Sequence, residues 1–293
     1  MYLADYHTHS RISPDARTPM ADMAGAAIAA GLDELCFTDH VEPITWGSTR
    51  LRETPYDWSA LVEEYRAARE AAGDRITLRL GIELGDAPWS FSHTETLIAD
   101  APELDFVIGS VHMLSERFKG VDLYFFDPKD ESEARAGMAD YLGQVQKLVE
   151  WGRFNVLGHL TLPLRYLNEN RGFHLTFDGF EDEIEHILRT LIENGRGIEL
   201  NTNRGNTPLP DGKWLRMYRR LGGEIITLGT DAHTPEYVGC AIRERQQLLK
   251  ACGFRRFCTF ERQKPIWHKL RLIFENTGST MIPQTLKARE NAL

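Results

Sequence analysis

Seven short apolar runs, each followed by a stretch with helical spacing, constrain this chain more than any other feature. The runs cover residues 2–7, 35–38, 76–84, 106–111, 155–158, 197–200 and 225–228. Their length and apolar content read as buried strands. Between them, helices are expected over about 19–31, 57–72, 92–99, 131–151, 178–194, 213–221 and 238–251. Thr18 and Pro19 suit N-cap and N1 of the first helix, and Gly31 its C′ position. Strand-then-helix repeated in this way implies a parallel α/β sheet. Seven or eight such units close most economically into a TIM-like barrel, whose active site lies at the C-terminal ends of the strands. There is no linker, low-complexity tract or internal repeat, so residues 1–293 are expected to form one barrel domain, with a frayed or docked tail from about residue 279.

The strand ends carry the chemistry. His7 and His9 sit two residues apart at the end of the first strand, a spacing that projects both imidazoles to one side. His40 follows the second strand, and Glu83 lies in the third. His112 and His159 follow the fourth and fifth, and Asp231 and His233 the seventh. Asp15 sits in the loop after the first. A closed barrel would bring these groups to one mouth, where imidazoles and carboxylates bind zinc, iron or manganese. A single catalytic zinc uses three protein ligands, so nine donors point to two or three divalent metal ions. A carboxylate such as Glu83 or Asp231 could bridge two of them.

Composition limits the partners. The net charge of −9 disfavours nucleic acid and anionic membranes. No apolar run has membrane-spanning length, and no secretory signal is visible. The four cysteines show no paired spacing, consistent with reduced thiols in a cytoplasmic protein. Oligomeric state is not encoded in any motif.

The motifs His7-Thr8-His9, Phe37-Thr38-Asp39-His40, Ile108-Gly109-Ser110-Val111-His112, Gly158-His159 and Gly229-Thr230-Asp231-Ala232-His233 occur in order along the chain. As a set they resemble the polymerase-and-histidinol-phosphatase (PHP) superfamily, and within it the stand-alone histidinol-phosphatase type. The resemblance implies a distorted (β/α)7 barrel with a trinuclear site. By it, His7, His9, Glu83 and Asp231 would hold one ion, Glu83, His112 and His159 a second, and Asp15, His40 and His233 a third. The chain departs from the family pattern at Thr161, where relatives often carry an acid, and in the stretch from Asn201 to Asn206.

The expected reaction is hydrolysis of a small phosphate monoester, in the first instance L-histidinol phosphate, by a hydroxide bridging two ions. Arg165 and Arg204, in loops at the expected mouth, suit phosphate binding. A metal-bound water, or a loosely held Asp231 or His233, would supply the proton to the leaving group. A PHP-type phosphoesterase of nucleotides or another small phosphate shares the same site. An amidohydrolase would be expected to show a lysine at a strand end, and none is present. A metal-binding module without activity would not need the full donor set. His93, His186 and His268 read as exposed, His174 as a loop residue, and Tyr124, Phe125 and Phe126 as local core.

Overall fold

Seven strands pair in parallel in chain order. They are β1 (Ala4–Thr8), β2 (Glu34–Val41), β3 (Thr77–Gly85), β4 (Phe106–Ser110), β5 (Val156–Leu157), β6 (Gly197–Asn201) and β7 (Ile226–Gly229). The structure is a computed structural model describing residues 1–45 and 48–270. Trp46, Gly47 and the tail expected from about residue 279 lie outside the described residues. Helices α1 (Met20–Ala29), α2 (Trp58–Ala72), α3 (Phe91–Ile98), α4 (Glu131–Trp151), α5 (Glu181–Glu193), α6 (Gly212–Arg220) and α7 (Ile242–Ala251) alternate with the strands. Among the described residues, no helix is long and apolar enough to cross a membrane.

The sheet curls until its first and last strands meet. Thr8 bridges Ala232 in parallel. Asp231 N–H donates to His7 O at 2.7 Å, and His9 N–H to Ala232 O at 2.9 Å. The Asp5 carboxylate ties the seam by accepting from Thr230 N–H at 2.9 Å, Thr230 Oγ1 at 2.6 Å and Gly239 N–H at 2.9 Å. Gly229 is required at this junction. A Cβ there would stand 2.3 Å from Glu199 Oε1 and 2.4 Å from His7 Cβ, closer than packed atoms tolerate. The result is a nearly closed, distorted (β/α)7 barrel.

Several boundaries differ from expectation. Pro19, not Thr18, occupies the N-cap of α1, without a side-chain cap. The seventh helix begins at Ile242 because Pro235–Tyr237 first makes a 3₁₀ turn. The fifth strand shrinks to two residues.

A hairpin after α7, β8 (Arg256–Glu261) and β9 (Lys264–Lys269), carries no site residue and was not anticipated. It covers the end of the barrel where the strands begin. Tyr6 Oη donates to Phe260 O at 3.0 Å, Phe260 packs against Phe106 at 4.9 Å, and Gln263 N–H donates to Asp105 O at 2.8 Å. The hairpin also explains why His268 is not exposed. Its ring is half-buried, stacked on Tyr2 at 3.9 Å and bonded to Thr259 Oγ1 at 2.8 Å. His93 is half-buried too, with Nε2 shielded from solvent, whereas His186 and His174 are exposed.

Candidate metal centre

All nine sequence-predicted donors meet at the C-terminal mouth of the barrel. Register begins the assembly, because His40 on β2 and Glu83 on β3 are direct neighbours across the sheet. Glu83, fully buried, is the hub. Its Oε2 lies 3.2 Å from His7 Nε2, 3.4 Å from His9 Nε2 and 3.2 Å from His40 Nδ1. Its Oε1 lies 3.3 Å from His112 Nε2 and 3.0 Å from His159 Nε2. Asp231 Oδ1 stands 3.3 Å from His9 Nε2 and 3.6 Å from His7 Nε2. Asp15 Oδ2 lies 2.8 Å from His233 Nε2 and 3.7 Å from His40 Nε2. His9 stacks on both His40, at 4.4 Å, and His233, at 4.2 Å, so it belongs with that third group as well as the first.

The backbone is bent to present these groups. Among the described residues, nine non-glycine positions have positive φ, and five of them follow strand ends at this mouth: Asp86, His159, Asn203, Arg204 and Asp231. Side chains held in that region cost energy that the surrounding structure must offset, and such positions cluster at functional sites.

Fixed charge explains how the cluster is held. Burial disfavours the His7 imidazolium, yet Glu199, Glu83 and Asp231 overcome this and raise its pKa well above the usual value. The same contest, won by Glu83 and Glu42, raises His112. Burial raises the Glu83 carboxyl, but His7, His112 and His40 hold it well below the usual carboxylate range. His9 goes the other way: burial, then His233 and His40, push it down to about 3, which keeps it neutral.

These residues fit divalent metal ions. His7 Nε2, His9 Nε2, Glu83 Oε2 and His159 Nδ1 are buried without a hydrogen-bond partner, and buried polar atoms are rarely left so. Among the described residues, three donor atoms come within 4.8 Å of one another in each of four groups. Metal binding would take the place of the protons that the imidazoles now share with carboxylates.

Three supporting carboxylates carry no motif and were missed in the sequence. Glu199 Oε1 meets His7 Nδ1 at 2.7 Å, and Glu199 Oε2 accepts from His159 N–H at 2.8 Å. Glu42 Oε1 lies 3.4 Å from His112 Nδ1 and 3.5 Å from His40 Nδ1. Asp86 accepts from the backbone of His112 and Met113. Carboxylates on the far nitrogen of a ligating histidine fix its tautomer and orientation. The available signal was a charged residue inside an apolar strand, as Glu199 is between Ile198 and Leu200.

Above the cluster opens a cavity of about 430 Å³, lined by Asp15, His40, His112, His159, Asp231 and His233 at its floor. Arg165 and Arg204 line it too, and no lysine does. Arg165 is not a solvated loop charge. It is 8% exposed and donates to Asp231 Oδ2 at 2.5 Å, Asn203 Oδ1 at 2.8 Å and Asn201 Oδ1 at 3.1 Å. Arg204 stacks on Tyr237 at 5.1 Å. The aromatic trio divides. Phe126 is buried as expected of local core, but Tyr124 and Phe125 are 57% and 59% exposed and form the cavity wall.

Residues 5–203 match the family model described as the PHP domain. The chain belongs to the PHP domain family. It is 31% identical over 268 residues to a histidinol-phosphatase of Lactococcus lactis subsp. lactis, covering 89% of this chain and 95% of the relative. Its fold is similar to the crystal structure of histidinol phosphate phosphatase from that organism complexed with zinc, L-histidinol and phosphate. The TM-score is 0.74 at 26% identity, covering 90% of this chain and 98% of the other. The (β/α)7 architecture of this family member is therefore shared by a structure complexed with zinc, L-histidinol and phosphate.

Proposed function

We propose that this chain is a metal-dependent phosphomonoesterase that hydrolyses L-histidinol phosphate to L-histidinol and phosphate, a step of histidine biosynthesis. The observation that carries this reading is the nine-donor cluster at the floor of a cavity that also holds Arg165. Similarity to the Lactococcus lactis histidinol-phosphatase supports the choice of substrate. Two or three divalent ions, zinc, iron or manganese, held by His7, His9, Asp15, His40, Glu83, His112, His159, Asp231 and His233, would supply an activated water and neutralise phosphoryl charge.

The chain's own groups do the rest. Arg165, fixed by Asn201, Asn203 and Asp231, offers a preset guanidinium to a phosphoryl oxygen, and Arg204 a second from the cavity edge. Asp231 is the weaker of the two candidate proton donors. Burial raises its carboxyl, but Arg165 and His7 bring it well below the usual range. His233 can act as the donor only while its Nε2, 2.8 Å from Asp15 Oδ2, holds a proton and not an ion. Four cysteines outside any disulfide suit a reducing, cytoplasmic setting.

The test is a panel of phosphate esters assayed with purified protein, before and after chelation. L-Histidinol phosphate should be among the best substrates, with activity lost to a chelator and restored by zinc, manganese or iron. Preference for a nucleotide instead would replace this substrate with another while leaving the site intact.

A further inference from the structure

We propose that Ser13, backed by the Asp39 carboxylate, is a positioning residue that keeps the His9 ring proton on Nδ1 and so turns a bare Nε2 toward a metal ion. This rests on the metal-dependent reading above and adds to it two residues outside the nine donors.

The assignment comes from counting protons around one hydroxyl. Ser13 and Asp39 are both buried. Asp39 Oδ1 accepts Ser10 N–H at 2.6 Å and Ser13 N–H at 3.2 Å. Backbone amides can only donate, so this oxygen carries no proton. Ser13 Oγ lies 2.7 Å from the same oxygen, and that contact is a hydrogen bond only if the serine donates. A hydroxyl has one proton and two lone pairs. With its proton directed at Asp39, Ser13 Oγ must accept at its remaining contacts. One is His40 N–H at 3.1 Å. The other is His9 Nδ1 at 3.0 Å, which therefore holds the ring proton.

The second ring nitrogen shows what this arrangement serves. His9 Nε2 is buried and, among the described residues, has no hydrogen-bond partner. It faces Glu83 Oε2 at 3.4 Å and Asp231 Oδ1 at 3.3 Å. With the proton on Nδ1, a neutral ring brings three lone pairs around one point, and these repel one another until a cation enters. Ser13 also differs from the carboxylate behind His7. Glu199 meets His7 Nδ1 directly at 2.7 Å and brings a negative charge to the ring. A serine accepts the ring N–H without adding charge, while its own proton anchors it to Asp39. The same hydroxyl ties His9 to His40, two members of one close donor group with His233.

The experiment reads the ring proton and the bound metal rather than turnover. In the zinc-loaded full chain, nitrogen NMR of histidine-labelled protein should place the His9 proton on Nδ1. Ser13→Ala frees the ring to move that proton to Nε2, where Glu83 and Asp231 can accept it. This variant should bind zinc about 10- to 100-fold more weakly in competition with a chelator. Asp39→Asn keeps an oxygen facing Ser13 but drops the charge, and should lose less than Ser13→Ala. A proton on Nε2 in wild type, or zinc affinity in Ser13→Ala equal to that of wild type, would overturn the inference. If Ser13→Ala does not fold, the wild-type ring proton decides by itself. Turnover of phosphate esters is measured apart from this. A wild type that binds zinc with the ring proton on Nδ1 but hydrolyses no ester ends the phosphatase reading and leaves Ser13 its role.

Discussion

The two ends of the barrel both bury charged groups, and they treat them in opposite ways. At the end where the strands begin, Glu34 accepts from Tyr2 Oη at 2.6 Å, Tyr6 Oη at 2.6 Å and Arg79 Nε at 2.9 Å. Arg79 also pairs with Glu261 of the hairpin at 2.9 Å. None of these side chains has a buried polar atom left unmatched. At the other end, Glu83 faces five imidazoles, and several of the nitrogens that point inward have no partner. A network complete within the protein stabilises the fold. One that is complete only when something binds costs stability until it does. The contrast separates a structural polar core from a functional one without reference to any relative.

Substitutions at matching positions can break this contrast. The largest effect is expected from the hub. Glu83→Gln should cut turnover by more than about 100-fold, since even outer carboxylates of metal sites are worth about 10- to 100-fold. It should also lower metal content measured by elemental analysis, with the melting temperature little changed. Its counterpart Glu34→Gln should do the reverse, costing about 1–3 kcal/mol in denaturant titration while turnover survives. If Glu34→Gln abolished activity and Glu83→Gln only unfolded the protein, the contrast would be backwards. A smaller effect tests the outer layer of the mouth. Glu199→Gln keeps the shape but weakens the hold on His7 Nδ1, and should reduce metal affinity or turnover by about 10- to 100-fold. The smallest belongs to the closed end. His268→Ala removes a ring stacked on Tyr2 and should cost about 0.5–1.5 kcal/mol, visible in thermal melts with no change in KM or kcat.

Much of the site could be read along the chain because its donors are periodic with the fold. All but Asp15, which sits in the loop after β1, are in or just after an apolar run, and parallel strands all end on one side. The same logic fails for residues whose role depends on a neighbour distant in sequence. Glu42 and Glu199 look like ordinary acids until the strands bring them to His112 and His7. Tyr124 and Phe125 look like core until the loop after β4 turns them outward while Phe126 turns in. Arg165 reads as a mouth arginine, but only the packed structure joins it to Asp231 through one bond and to Glu169 through Asn203.

By itself, the order of residues determined the alternating architecture, the identity of the donor atoms and the end of the barrel where they gather. Local apolar periodicity and strand polarity set these features, and neither needs long-range information. Tertiary structure alone decided that β1 and β7 close over Gly229, that the β8–β9 hairpin covers the far end, and which carboxylates steer which imidazoles. Those outcomes depend on contacts between segments far apart in the chain, such as Tyr6 and Phe260, 254 residues apart, which no local pattern encodes.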